Sequence, residues 1–156
     1  MMISLNGFSV RQATKNDLPL ICVIEDGSFP DPYPPDLMAK LQREHSDGFL
    51  VVENASGEIV GYCVASENRG RAHLISIAVH PEYLRKGAGT MLLETLLARL
   101  YEHRVDELRL EVNVENDAAV KFYERLGFNR VTVIKNYYSD GSSALKMRLP
   151  MKEPKH

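Results

Sequence analysis

The chain has 156 residues, the length of one ordinary domain, and its 19 Lys and Arg against 21 Asp and Glu leave a formal charge of −2. That balance excludes net charge as a route to nucleic acid or an anionic membrane, so any charge-driven function must be local. No run approaches the roughly 20 apolar residues of a membrane span, and the start MMISLNGFSV has no basic region ahead of a long apolar core. The expectation is a soluble cytoplasmic protein. Residues 1–150 read as a single domain, with the tail MKEPKH at 151–156 loose.

In chain order, Phe8 to Ala13 reads as a strand, and Thr14 offers an N-cap to a helix with apolar residues at Leu18, Ile21, Cys22 and Ile24. Four prolines from Pro30 to Pro35 then forbid regular structure and leave a stiff loop with side chains on show, followed by a helix from about Asp36 to His45. Phe49–Glu53 and Glu58–Ser66 are strand-like runs joined by the hairpin signal NASGE, and a polar, mobile ENRGR precedes a strand over Ala72–His80. Helical spacing of Leu92, Leu93, Leu96, Leu97 and Leu100 gives way to alternation in ELRLEVNV, which puts Leu108, Leu110, Val112 and Val114 on one face and Arg109, Glu111 and Asn113 on the other.

Asn116 suits the N-cap of a helix whose Ala119, Phe122, Tyr123 and Leu126 share a face before Gly127 stops it. Strands over about Phe128–Lys135 and Ala144–Leu149 flank NYYSDGSS with its Asp-Gly turn. The order β-α-α-β-β-β-α-β-α-β-β describes a mixed sheet covered by helices. Cys22 and Cys63, each inside an apolar segment, read as small buried hydrophobes rather than a disulfide pair. The histidines stand apart without CxxC or HExxH partners, so no metal site follows from spacing.

The stretch RKGAGTML, Arg85 to Leu92, places a glycine pair between a strand and a helix, where unpaired N–H groups and the positive end of a helix suit an anion. Lys86 precedes both glycines, which is the wrong order for the phosphate loop of nucleotide hydrolases. Leu92 stands where the dinucleotide fingerprint needs glycine. A compact pyrophosphate cradle remains, or a plain loop with a solvated charge pair.

IAVHPEYLRKGAGTMLLETLL, followed by LRLEVNVENDAAVKFYERLGF, resembles the acetyl-CoA core of the GNAT acetyltransferase superfamily. FPDPYPPDL and NYYSDGSSALKM are similar to the substrate loops of its RimI-like and archaeal protein N-terminal acetyltransferases, so the resemblance runs from Phe8 to Leu149. It implies the GNAT fold, a mixed, mostly antiparallel sheet of about seven strands flanked by about four helices. It also implies acetyl transfer from acetyl-CoA to protein N-terminal α-amines, such as those of ribosomal proteins, by direct attack.

By the resemblance, the backbone of Ile77, Ala78 and Val79 holds the thioester and pantetheine arm, and Arg85, Lys86, Gly87, Ala88, Gly89 and Thr90 hold the pyrophosphate. Asn116 and Tyr123 meet the cofactor from the next helix. The family motif Gln/Arg-x-x-Gly-x-Gly/Ala has Leu84 in its first slot here, which leaves that side-chain contact to Arg85 or Lys86. Glu111 is the implied base, His73 its support and Tyr123 the acid for the leaving thiolate. Asp31, Tyr33, Tyr137 and Tyr138 are implied to enclose the substrate's first residues, although Tyr138 has the alternative of packing beneath its turn. The rival readings are acetylation of a small amine or a lysine side chain, and a non-catalytic module that holds acetyl-CoA or docks such an enzyme at the ribosome.

Overall fold

The structure, a computed structural model, describes residues 2–3 and 7–152. Its elements are β1 (Met2–Ile3), β2 (Ser9–Gln12), α1 (Leu18–Ser28), α2 (Pro35–Glu44), β3 (Phe49–Glu53), β4 (Ile59–Asn68), β5 (Arg71–Val79), α3 (Ala88–Glu102), β6 (Glu107–Asn113), α4 (Asp117–Arg125), β7 (Asn129–Ile134) and β8 (Ala144–Pro150). The seven expected strands and four helices are present, and β1 adds a two-residue pairing to β2 at the sheet's edge. The sheet order is β1-β2-β3-β4-β5-β6-β8-β7, with β5 and β6 its one parallel pair among the described residues.

Helices cover both faces. On one, Ile21 and Ile24 of α1 and Met38 and Leu41 of α2 pack with Phe49, Val51, Tyr62 and Val64. On the other, Leu92, Leu93, Leu96 and Leu100 of α3 and Val120 and Tyr123 of α4 pack with Leu50, Val52, Leu108, Leu110 and Met147. Successive β3 residues therefore point into opposite cores, which is why FLVVE is a continuous apolar run. Each fully buried leucine of α3 contributes about 2 kcal/mol of burial, enough to hold a helix whose first turn contains glycine.

One connection differs from expectation. The ENRGR segment is a tight turn rather than a mobile loop: Glu67 and Asn68 belong to β4, and Arg69 and Gly70 alone reverse the chain, with φ of 53° and 80°. Two consecutive left-handed residues match the twist of an antiparallel ribbon, so the strands run up to the turn. Cys63 is buried while Cys22 is only half-buried, and both are free thiols. The tail is tied down at its start by the Met151 N–H, which donates to the Asp106 carbonyl at 2.9 Å. The rest of the expected loose tail, 153–156, lies outside the described residues.

Gly48 sits where β4 crosses beneath the turn before β3, and a Cβ there would lie 2.3 Å from the Ala65 carbonyl oxygen. Neither backbone has a free rotor to relieve the clash. Gly48→Ala is expected to cost about 3 kcal/mol and to lower Tm by roughly 6–12 °C in a thermal melt. An unchanged Tm contradicts that reading of the crossing.

Candidate active site

The site begins with a pairing that stops. β5 and β6 are hydrogen-bonded in parallel only where Arg71–His73 meet Glu107–Arg109, yet β5 continues to Val79 and β6 to Asn113. Past His73 the two strands diverge into a wedge. On its other edge β5 stays paired with β4 through Val79, with a register shift at Val64 and Ala65. The wedge edge of Ile77, Ala78 and Val79 thus offers backbone polar groups to a polar chain that enters there.

The glycine-rich loop closes the base of the wedge. Leu84, Arg85, Lys86 and Gly87 are exposed, and Gly87 is the N-cap of α3 with φ 94°, a conformation that glycine takes without steric cost. Arg85 is also left-handed, at φ 62°, and the Lys86 ammonium lies 5.4 Å from the centroid of the Tyr83 ring. Ala88, Gly89 and Thr90 form the first turn of α3, whose leading N–H groups have no carbonyl within the helix. An ideal Cβ on Gly89 would lie 3.5 Å from Phe122 Cζ and 3.7 Å from Val79 Cγ2, so loop, β5 and α4 meet at this residue. This combination of open strand edge, exposed glycine cap and helix start fits a pyrophosphate with an amide-bearing arm.

On the wall of the wedge, His73 Nε2 lies 2.7 Å from Glu111 Oε1, and the Tyr137 hydroxyl donates to the same oxygen at 3.4 Å. Strand alternation accounts for the pairing: β6 buries Leu108, Leu110 and Val112, which leaves Glu111 on the face that His73 shares. The His73 contact holds the Glu111 carboxyl below its usual value, with Lys146 opposite it on β8 adding to the effect. Among the described residues no cluster of three or more His, Cys, Asp or Glu is placed to hold a metal ion.

Two loops carry the aromatic residues, and one of these, Tyr137, reaches the pair. Burial raises the phenols of Tyr33, Tyr137 and Tyr138, the last to about 12, and the Glu111 charge raises all three further. The Tyr137 and Tyr138 rings meet edge to face at 5.0 Å. Tyr138 is half-buried and packs against Tyr137, whose hydroxyl reaches Glu111. The Ser139 hydroxyl donates to the Asp31 carboxylate and so bridges the α1–α2 loop to the β7–β8 loop.

Tyr123 projects from α4 with its ring against Phe122 at 5.3 Å and Phe128 at 5.5 Å. Burial pushes its phenol well above the ordinary value, and Cys63 and Tyr138 are its electrostatic neighbours. Asn116 caps α4, its Oδ1 accepting from the Ala119 N–H at 3.1 Å, so that oxygen is committed to the helix. Two features lie beyond the sequence reading. Glu25, Tyr62 and Ser76 form a buried hydrogen-bonded cluster beneath the mouth, and Ser139 is the partner of Asp31. The one signal for the first is that Glu25 stands four residues after Ile21, on the apolar face of α1.

A fold with this wedge, glycine loop and sheet order defines an acyl-CoA-dependent acyltransferase. The family model described as the acetyltransferase (GNAT) family matches residues 18–128, and the chain belongs to that family. It is 37% identical over 150 residues to the ribosomal protein bS18-alanine N-acetyltransferase of Escherichia coli, covering 94% of this chain and 99% of that one. It is 32% identical over 157 residues to an N-alpha-acetyltransferase of Sulfurisphaera tokodaii, covering 92% and 93%. Among solved structures, Ard1 from Thermoplasma volcanium matches with a TM-score of 0.90 at 30% identity over 94% of this chain and 99% of that one.

The Gly89 geometry carries a prediction. The family motif takes Gly or Ala in this slot, and the Cβ contacts here are ordinary van der Waals distances. Gly89→Ala is expected to stabilise the fold by about 0.5 kcal/mol through the unfolded chain's lost freedom, seen as a rise in Tm with acetyl-CoA affinity retained. A fall in Tm contradicts the reading that these contacts accept a methyl group.

Proposed function

We propose that the protein transfers the acetyl group of acetyl-CoA to the N-terminal α-amine of proteins, with ribosomal proteins as the candidate substrate class and the cytoplasm as the compartment. The observation that carries this is the pair of loops beside Glu111: the Tyr137 hydroxyl donates to Glu111, the Tyr138 ring meets Tyr137 edge to face, and Ser139 joins their loop to Asp31 of the loop that carries Tyr33. An entrance bounded by two joined loops admits a chain end more readily than a lysine in the middle of a chain. The names of the E. coli and S. tokodaii relatives support the same substrate class. Among the described residues no helix is long and apolar enough to cross a membrane.

Acetyl-CoA, when bound, supplies an activated thioester. In this reading the backbone of Ile77, Ala78 and Val79 holds its arm and polarises the carbonyl, while Arg85, Lys86, Gly87, Ala88, Gly89 and Thr90 hold its pyrophosphate. Asn116 and Tyr123 line the α4 side. Glu111 receives the proton of the attacking amine through water, because a carboxyl held below its usual value is too weak a base to strip an ammonium directly. An α-amine with pKa of about 7.7–8.0 is already partly neutral at cellular pH, so a weak base suffices. His73, hydrogen-bonded to Glu111, orients it and spreads the accepted charge.

Tyr123 donates the proton taken up by the departing thiolate. A phenol holds its proton at neutral pH, so the hydroxyl is available as a donor, although burial raises it and makes it a weaker acid. Asp31, Tyr33, Tyr137 and Tyr138 enclose the first residues of the substrate. The experiment is CoA release from acetyl-CoA over peptides with free N-termini beginning Ser, Ala, Thr or Met, beside N-blocked peptides containing lysine. Turnover confined to free N-termini is expected. Turnover on blocked lysine peptides transfers the assignment to side chains, and silence on all of them with acetyl-CoA bound favours a small amine or a non-catalytic module.

A further inference from the structure

Glu25 lies on the inner face of α1 and is 2% exposed. Among the described residues its carboxylate forms no ion pair; it takes three donors instead. Oε1 accepts from the Tyr62 hydroxyl of β4 and from the Ser76 hydroxyl of β5 at 3.2 Å, while Oε2 accepts from the Tyr33 backbone N–H at 3.0 Å. The two hydroxyls are also 2.9 Å apart. A carboxylate removed from water is costly to hold unless its oxygens are filled, and an acceptor-only group is matched here to donors. Unlike the surface carboxylates, it therefore ties three separate elements to one point.

The third donor is the informative one. Residues Pro30, Pro32, Pro34 and Pro35 have no N–H, so within 30–35 only Asp31 and Tyr33 can donate from the backbone. A loop of this composition cannot be fixed by a ladder. One of its two backbone donors is spent on a buried side chain, and the residue that donates it is Tyr33, in the loop whose Asp31 is joined to Ser139 beside Tyr137 and Tyr138.

We infer that Glu25 is a positioning residue for the acceptor substrate: through the Tyr33 N–H it fixes the proline-rich loop, and with it the wall of the mouth, against the β4–β5 pair. The inference rests on reading that loop as the entrance for the peptide. It assigns Glu25 no contact with either substrate, so its loss acts on peptide binding and leaves the acetyl-CoA side of the wedge intact.

The test combines amide exchange with kinetics on the full chain. In the wild type the Tyr33 amide, followed by NMR, is expected to exchange at least about tenfold more slowly than its intrinsic rate. Glu25→Met keeps the length and leaves Tyr62 and Ser76 bonded to each other. It is expected to return that amide to near its intrinsic rate and to raise the KM for a Ser- or Ala-initiated peptide by roughly ten- to a hundredfold, with the KM for acetyl-CoA unchanged. Glu25→Gln is expected to rescue both readouts, since its carbonyl can take the Tyr33 N–H while its amide donates to the two hydroxyls.

A Tyr33 amide unprotected in the wild type overturns the inference, as does a Glu25→Met variant with lower Tm but unchanged peptide KM. Failure of Glu25→Gln to rescue overturns it as well, because the charge and not the geometry would then matter. Should Glu25→Met not fold, the wild-type exchange rate and Glu25→Gln still decide. If no free N-terminus is turned over by the wild type, the α-amine reading falls while the exchange measurement still reports whether Glu25 holds the loop.

Discussion

Glu111→Gln is expected to lower kcat for a free N-terminal peptide by about a hundredfold while leaving acetyl-CoA affinity where it was. The amide preserves the volume and a contact to His73, and removes the charge proposed to receive the amine's proton. The edge proposed for the cofactor is β5 backbone and the α3 start, to which Glu111 does not belong. The pH dependence separates the roles. Glu111, held below the usual carboxylate range by His73, is ionised throughout neutral pH, so it cannot produce a limb near neutrality. The rise of kcat/KM with pH should follow the substrate's α-amine, at about 7.7–8.0, losing its proton, and should keep its position in Glu111→Gln at a lower plateau. An unchanged kcat removes Glu111 from the chemistry.

Gly87→Val is expected to raise the Kd for acetyl-CoA by at least about a hundredfold, roughly 2.7 kcal/mol. The residue has φ 94° at the cap of α3, where a β-branched side chain is strained, and it lies in the loop proposed to hold the pyrophosphate. Strain alone also lowers Tm, so a control is needed. Gly57, at φ 80° in the β3–β4 hairpin, would have nothing within 4 Å of an added Cβ and is not among the residues proposed to hold the cofactor. Gly57→Val is expected to cost similar stability, on the order of 1–2 kcal/mol, with acetyl-CoA affinity intact. Equal losses of affinity in the two variants would show that Gly87 serves the helix cap and not the ligand.

Much of this architecture is legible in the sequence because the patterns are local. Alternation in ELRLEVN puts Glu111 opposite the buried Leu108 and Leu110, and leucine spacing marks the core face of α3. The glycine loop is likewise a matter of neighbours in the chain. What stays illegible depends on long-range register. That β5 and β6 pair over three residues and part just where the β4–β5 register shifts is a matter of strand register, which no window of sequence records.

The same holds for side-chain partners far apart in the chain. Glu25 reads as one more charge on a helix until β4 and β5 bring Tyr62 and Ser76 to it, and Ser139 meets Asp31 only when the two mouth loops converge. His73 and Glu111 stand 38 residues apart in the chain, and the parallel pairing that sets His73 beside Arg109 brings them within 2.7 Å. The composition of ENRGR suggests mobility, whereas its two left-handed residues make the tightest of turns.

The proposed acceptor is a chain's α-amine. The most direct test gives the enzyme acetyl-CoA and one peptide that carries both a free N-terminal Ser or Ala and an internal lysine, and locates the added acetyl group by tandem mass spectrometry. Acetyl on the first residue's amine, with the lysine unmodified, is the expected result. Acetyl on the lysine side chain, with the N-terminus free, overturns the proposal.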